Sequence, residues 1–449
     1  MPLYRRCCFI LLDGARPDVL GQLLQRGEMP FFQQLFVEQG TFTKGVTAFP
    51  STTGAAYLPY LTGFYPGHCN VPGIRWFDRS RQVHRSYVGI EHLFFNKDLS
   101  PAVKTLFEYT KRSVTLFNIV HRGAKTPKYF QKSWRTLVAK MTGQWGKMDA
   151  WLSTIAREVI KKEFDMLFIA LPGIDETSHD AHPFSEKVLV LYRQFDIELG
   201  KLICDLERHG RREETLFVLA SDHGLSPVHT HFDLVQFLEA HKLRVLHYPK
   251  IYRRYFDAVV MPSGNAMAHL YFQNEAHSYR ESWMDRLTQE SAIAWVAAKE
   301  EGGVRVKSKN GEALISENGE KISYRVVGKD PLGFSHIPVH FSDLQGLGLS
   351  FSQTHPDAFR QLLQIFHSHR CGDIIVNATL GYDLRKSFEW PEHFSSHGSL
   401  HREHMHIPIA FSHPLKLLHP IRSVDVFPTI LKLLGLSESP ICDGKVLNF

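Results

Sequence analysis

The stretch Cys7-Cys8-Phe9-Ile10-Leu11-Leu12-Asp13-Gly14 sets six apolar residues in an unbroken run against a carboxylate and a glycine. Such a run, short and without polar alternation, predicts a strand buried on both faces, as in a parallel sheet covered by helices. Asp13 then falls at the strand's carboxyl end, where the loops of an open parallel sheet diverge into a ligand-binding crevice. The pattern recurs twice. Residues 166–171 are followed by Pro172-Gly173-Ile174-Asp175, and residues 216–221 by Asp222-His223-Gly224. A further strand is expected over 114–119. Helical spacing over 17–36, 147–162 and 186–209 supplies the connections, with Pro17 suited to a first helical turn. The expected class is α/β, a largely parallel central sheet flanked by helices.

The middle of the chain follows another rule. Residues 257–261 and 268–272 flank Pro262-Ser263-Gly264-Asn265, a hairpin signature. Short strands over 304–307, 313–316 and 321–327 are split by Asn310-Gly311 and Asn318-Gly319, which favour tight hairpin turns. This predicts an inserted smaller α+β accessory lobe over 246–372, partly continuous with the core. The core itself takes 1–245 and resumes over 373–449. That last part carries strands at 373–376 and 407–411, and a closing helix at 425–434 capped by Ser423 and stopped at Gly435.

With 449 residues the chain is ample for a large core, and 43% apolar content excludes disorder as the default. Lys and Arg exceed Asp and Glu by only 6, a mild and scattered surplus without a long basic block. That favours an anionic small substrate and argues against a nucleic-acid polymer. The six cysteines include the neighbours Cys7 and Cys8, which a strand points to opposite faces. They read as buried free thiols of a reducing compartment. The first residues run straight into a strand, and no apolar run has the length of a membrane span. The expectation is a cytoplasmic protein without a membrane span.

The 26 histidines include several beside Asp and Gly, which suits metal or phosphate chemistry. Asp13 is either a metal ligand or the N-cap of the helix that follows. Asp175 and His179, four apart, share one face of a helical turn and can share a metal, or else belong to a solvated loop. Asp222 and His223 are adjacent, which as ligands requires an irregular backbone that Gly224 allows. His397-Gly398 lies in a loop rich in Ser and His. Phe49-Pro50-Ser51-Thr52-Thr53-Gly54 supplies hydroxyls for a nucleophile. The order Asp, hydroxyl, Asp-x-x-x-His, Asp-His, His is the inventory of a two-metal phosphoryl-transfer site. Mixed Asp and His ligation suits zinc, where carboxylates alone would suit magnesium or calcium.

Taken together, these motifs resemble the alkaline phosphatase superfamily and, within it, the type I phosphodiesterase/nucleotide pyrophosphatase branch. The matching residues are Leu12-Asp13-Gly14, Phe49-Pro50-Ser51-Thr52-Thr53 with Leu61-Thr62-Gly63-Phe64-Tyr65-Pro66, Asp175-x-x-x-His179, Ser221-Asp222-His223-Gly224 and His397-Gly398. Val424-Asp425-Val426-Phe427-Pro428-Thr429 and Asp443-Gly444 resemble the branch's C-terminal signature. The Thr62-Gly63-Phe64-Tyr65-Pro66 piece sets the register and places the family nucleophile on Thr53. The resemblance implies an alkaline phosphatase-like fold and two Zn2+, with Mn2+ or another divalent ion as the alternative. It implies one metal on Asp175, His179 and His397, the other on Asp13, Asp222 and His223 with Thr53, and a phospho-threonine intermediate.

Departures from the branch bear on substrate. Setting Phe77-Asp78 against the family's Tyr-Asp puts Ile74 where the branch carries an Asn that donates to a phosphoryl oxygen, with Arg75 beside it. Arg75, His229 and His231 are candidates for replacing that donor, although the two histidines also read as an exposed strand face. Thr53-Gly54-Ala55-Ala56-Tyr57 does not fit the Cys-x-Pro-x-Arg setting of sulfatases, and membrane phosphoethanolamine transferases need spanning helices. The leading expectation is a hydrolase of phosphodiester or pyrophosphate bonds in a phosphorylated small molecule. The alternatives are a phosphomonoesterase or phosphotransferase on the same scaffold, and a non-catalytic, metal-stabilised binding protein.

Overall fold

The computed structural model describes residues 2–128, 133–247, 255–273, 279–386, 392–437 and 440–449. Its first sheet has seven strands in the order Thr41–Val46, His406–Phe411, Thr215–Ala220, Arg6–Leu12, Met166–Leu171, Ser113–Leu116 and Thr126–Lys128. Arg6–Leu12 pairs in parallel with both Met166–Leu171 and Thr215–Ala220. The pairings of Thr41–Val46 with His406–Phe411, and of His406–Phe411 with Thr215–Ala220, are antiparallel. The unbroken apolar run has its reason in the packing. Cys7, Phe9 and Leu11 enter a core with Tyr57, Tyr60 and Phe168, while Cys8, Ile10 and Leu12 enter another with Leu20, Leu152 and Tyr192. Neither face meets water, and each buried Ile or Leu contributes about 1.5–3 kcal/mol. Cys7 and Cys8 are buried free thiols on opposite faces.

Helices Trp145–Ile160 and Glu186–Arg208 pack beside the sheet, and the short helix Gly173–Ala181 follows Met166–Leu171 directly. The helix expected over 17–36 is two pieces. Pro17–Gln25 ends at Arg26, and helical backbone restarts at Pro30, whose ring fits a first turn and not an interior. Asp196 accepts hydrogen bonds from the Phe31 and Phe32 amides at that restart.

The second sheet has nine strands, from Val245–His247 through Ala258–Pro262, Met267–Phe272, Ile374–Ala378, Ile293–Glu300, Gly303–Ser308, Gly311–Asn318 and Lys321–Gly328 to His340–Ser342. The hairpins form in the expected stretches, with Ser308 opposite Gly311 and Asn318 opposite Lys321. One placement differs from expectation. Ile374–Ala378 lies in this sheet, between Met267–Phe272 and Ile293–Glu300, and not in the first. Its side chains are all buried, and an apolar run declares burial without declaring which sheet supplies it. At the C-terminus, Arg422 and Asp425 cap the turn Ser423–Asp425 that leads into helix Val426–Leu433, so Ser423 sits inside the turn and is not its cap.

The hairpin turn of the second sheet meets the loop around His397 where the chemistry was expected. Asn265 bridges to His397 and Ser51 bridges to Gly398. Gly398 has φ +102, and a Cβ there would lie 2.2 Å from the Ser263 carbonyl oxygen. Among the described residues, no helix is long and apolar enough to cross a membrane.

Candidate active site

Three neighbouring parallel strands deliver the acidic groups. Asp13 follows Arg6–Leu12, Asp175 lies in the first turn of the helix after Met166–Leu171, and Asp222 follows Thr215–Ala220. All three are buried, at 5%, 8% and 0% exposure. One carboxylate oxygen on each, Asp13 Oδ1, Asp175 Oδ1 and Asp222 Oδ2, is buried with no hydrogen-bond partner. Orphaned buried carboxylate oxygens are costly, and three together mark a place built for a cation.

The histidines are oriented for the same purpose. His179 Nδ1 donates to the Ser395 carbonyl at 2.9 Å, His397 Nδ1 to the Ser51 carbonyl at 3.0 Å, and His223 Nδ1 to the Gly224 carbonyl at 3.2 Å. A carbonyl only accepts, so each Nδ1 carries the proton and each Nε2 lone pair is left for a ligand. His179 Nε2 lies 3.5 Å from Asp175 Oδ1; His223 Nε2 lies 3.5 Å from Asp13 Oδ1 and 3.2 Å from Asp222 Oδ2. The His223 and His397 rings stack with centroids 3.7 Å apart. Two groups have ligand atoms all within 4.8 Å of one another: Asp175, His179 and His397, and Asp13, Asp175 and His223. Asp175 therefore stands between the two, with Asp222 joined to the second through His223.

Charge agrees with geometry. Burial, together with the charges of Asp222 and Asp175, pushes the Asp13 carboxyl well above its ordinary range. Burial and the Asp175 charge do the same at Asp222. At Asp175 burial also acts upward, but neighbouring His179 outweighs it and holds the carboxyl low. Burial depresses His179 too, yet Asp175 wins and raises it to about 9. Burial takes His223 down to about 4, and burial with the nearby His223 ring holds His397 well below the ordinary imidazole value. Buried acidic groups that repel one another, beside the neutral rings of His223 and His397 and a His179 ring whose extra proton is held there only by Asp175, form a donor set that fits divalent cations of mixed N/O preference, binding of which displaces the protons.

Thr53 and Thr52 separate cleanly. Thr52 is fully buried and its hydroxyl has no partner, whereas Thr53 is half-buried with Oγ1 3.4 Å from His223 Nε2. Gly224 serves through close approach: a Cβ there would lie 2.3 Å from the Glu403 carbonyl oxygen.

The other expected residues are held elsewhere. Arg75 Nε donates to Ser86 Oγ and Nη1 to the Pro262 carbonyl, each at 3.2 Å. His231 pairs with Glu392 at 3.2 Å and with the Arg385 carbonyl, and His229 lies against Gly381. None of these partners is Thr53 or a member of the ligand cluster. Ile74 donates its amide to Ser263 Oγ at 3.0 Å.

Several contributors escaped sequence reasoning. The buried Tyr57 hydroxyl donates to Asp13 Oδ2 at 2.7 Å, Thr47 Oγ1 donates to the Asp222 carbonyl, and the His393 ring lies 4.3 Å from the His179 ring. Tyr57 falls four residues after Thr53 in an apolar stretch that reads as plain core, so spacing from the candidate nucleophile was the only available signal.

A family model described as type I phosphodiesterase / nucleotide pyrophosphatase matches residues 7–400. No curated protein sequence matches the chain. Among solved structures, the chain resembles murine ectonucleotide pyrophosphatase / phosphodiesterase 5 at 14% identity and a TM-score of 0.65, covering 98% of this chain and 97% of that one. The same murine protein as an inactive threonine-to-alanine variant in complex with AMP resembles it at 13% identity and a TM-score of 0.65, with the same coverage. Phosphonoacetate hydrolase from Sinorhizobium meliloti 1021, in complex with phosphonoformate, does so at 15% identity and a TM-score of 0.62, covering 97% of each chain. At these identities the structural likeness carries the fold.

Proposed function

The chain belongs to the type I phosphodiesterase / nucleotide pyrophosphatase family of phosphoric ester hydrolases, and from that premise we propose that it cleaves phosphodiester or pyrophosphate bonds with Thr53 as nucleophile. The observation that carries the proposal is the pair of adjoining ligand groups, Asp175, His179 and His397 beside Asp13, Asp175 and His223, with orphaned oxygens on Asp13, Asp175 and Asp222 and the Thr53 hydroxyl 3.4 Å from His223 Nε2. Asp175, His179 and His397 would hold one divalent ion, and Asp13, Asp222 and His223 the other. Zinc is the ion the mixed donors suit best. When bound, such a pair lowers the pKa of coordinated hydroxyls and neutralises charge on the phosphoryl oxygens.

The chain's own residues set the geometry of attack. Gly54 and the turn Ala55–Tyr57 hold Thr53 at the crevice, on the His223 side of the cluster. Its Oγ1 gives up its proton to solvent water and bonds to phosphorus in line with the departing oxygen, which leaves with the electron pair of its broken bond to phosphorus. With a diester substrate, the phosphoryl group on Thr53 keeps its second ester substituent throughout; water then attacks phosphorus, the bond to Thr53 Oγ1 breaks, and the product leaves as a monoester. The murine relative that is inactive as a threonine-to-alanine variant supports this assignment by analogy.

Preference for diesters over monoesters rests on charge. A monoester dianion needs a cationic partner, and the Arg75 guanidinium already serves Ser86 and Pro262. The test is a comparison of kcat/KM for an aryl phosphodiester, an aryl pyrophosphate and the matching monoester with zinc-loaded protein. Diester or pyrophosphate preference supports the proposal. A strong monoester preference, weakened by Arg75→Ala, would install the phosphatase reading in its place.

A further inference from the structure

Helix Trp134–Thr142 is amphipathic in the wrong direction. It is well delimited, with Ser133 accepting from the Thr136 amide at 3.2 Å and Gly143 closing it in the left-handed conformation. Its buried residues are the small Thr136 and Ala139, while Trp134, Leu137, Val138 and Met141 are 67%, 60%, 43% and 78% exposed. At roughly 100° per residue these four fall in one stripe about 100° wide, opposite Thr136 and Ala139. Arg135 and Lys140 flank the stripe on its two sides. A surface helix ordinarily turns such a stripe into the core.

The surrounding charge is equally one-sided. Between Glu108 and Asp149 the sequence carries nine Lys and Arg and no Asp or Glu, although the excess over the whole chain is only 6. The rest of the chain is therefore net acidic. Arg112 and Arg122 are tied to Asp165 and Glu108. Lys125, Arg135, Lys140 and Lys147 are exposed, and of the four Lys140 lies near enough to Glu176 to act on its carboxyl. Arg135 lies over the rings of Trp134 and Trp151, at 4.7 and 5.0 Å.

From the outward apolar stripe and the basic surround together, we infer that this face docks on an anionic lipid surface. A lipid interface accepts Trp, Leu, Val and Met among the acyl chains while its headgroups offset Lys and Arg, the signature of a helix lying in the interface plane. A second copy of the chain suits the face poorly, because isologous pairing would set the basic residues of one copy against those of the other. A nucleic acid answers the charge but leaves the aliphatic stripe in water. The helix packs on Trp145–Ile160, which packs on Gly173–Ala181, the carrier of Asp175 and His179. Docking therefore places two helices, Trp134–Thr142 and Trp145–Ile160, between the lipid and the helix that carries Asp175 and His179.

The test is flotation of the full-length protein with vesicles of phosphatidylcholine alone or mixed with phosphatidylglycerol. Binding is expected to the mixed vesicles, to fall with salt, and to weaken about tenfold in Met141→Ser or Leu137→Ser. Lys140→Gln is expected to cost about fivefold. All three sites are exposed and outside the catalytic cluster, so thermal unfolding and hydrolysis of a water-soluble ester should be unchanged. The inference is overturned by absence of binding to the mixed vesicles, by equal binding to phosphatidylcholine alone, or by binding that the serine variants leave intact. The last result would mark adhesion to polyanions in general. A wild-type dimer in sedimentation that Met141→Ser dissociates would also overturn it and give the face to a second copy.

Discussion

Replacing Tyr57 with Phe removes one oxygen and probes how the site holds Asp13. The ring is buried at 2% exposure beside Phe168, so Phe keeps the packing. Burial and the charges of Asp13 and Asp222 keep the phenol protonated, its pKa well above the ordinary value. It is therefore a donor to Asp13 Oδ2, which leaves Oδ1 directed at the His223 side of the crevice, 3.5 Å from Nε2. A hydrogen bond to a charged acceptor contributes about 1.5–3 kcal/mol. Loss of a partner that orients a metal ligand typically weakens affinity about 10–100-fold. Both figures give the same expectation: Tyr57→Phe binds zinc one to two orders of magnitude more weakly, read by competition with a chromophoric chelator. Turnover at saturating zinc should return to within severalfold of wild type, because Thr53 and all six proposed ligands remain. Unchanged zinc affinity combined with a large fall in kcat would refute the reasoning and make Tyr57 a substrate contact.

Thr53→Ala is expected to remove nearly all turnover while leaving zinc affinity and melting temperature close to wild type. Thr52→Ala should keep activity, and the reverse pattern would shift the nucleophile by one residue. Chelation should abolish activity, and zinc at about 100 times its Kd should stabilise the metal-free protein by about 2.7 kcal/mol, seen as a rise in melting temperature; no rise would contradict a site built from three orphaned carboxylates. Burial lowers the fully buried His269 to about 4. The native ring therefore takes its proton only near pH 4, whereas the unfolded chain takes it near pH 6.5. Its contribution is fully present above pH 6.5 and is lost as pH falls towards 4, a change of roughly 3 kcal/mol. Urea midpoints of His269→Gln should fall less steeply over that window, and identical slopes would contradict the assignment.

The centre of the first sheet was legible because its strands are covered on both faces, whereas the partly exposed Thr41–Val46 and the short Thr126–Lys128 were not anticipated. Residues 7–12, 166–171 and 216–220 carry no polar interruption, and the carboxylates directly behind them fall on adjacent parallel strands as open-sheet geometry requires. Pairing between distant strands was not legible. Ile374–Ala378 has the apolar content of either sheet, and only its register with Met267–Phe272 and Ile293–Glu300 assigns it. Metal-ligand candidates were visible as Asp and His at strand ends. What orients them was not, because the anchors of His179, His223 and His397 are backbone carbonyls of Ser395, Gly224 and Ser51, which have no side-chain signature. Helix Trp134–Thr142 was not among the expected helices, and periodicity alone does not tell which way an apolar stripe faces.

The proposed mechanism depends most heavily on Thr53 as the group that carries the phosphoryl intermediate. The direct measurement is mass spectrometry of zinc-loaded protein quenched in acid during turnover of an aryl phosphodiester, followed by fragmentation of the peptide containing residues 49–57. The prediction is a phosphoryl group, with or without the retained ester substituent, on Thr53, and its absence from Thr53→Ala. A turning-over enzyme whose peptide stays unmodified under rapid quench, or that carries the group on Thr52 or Ser51, would contradict the central claim.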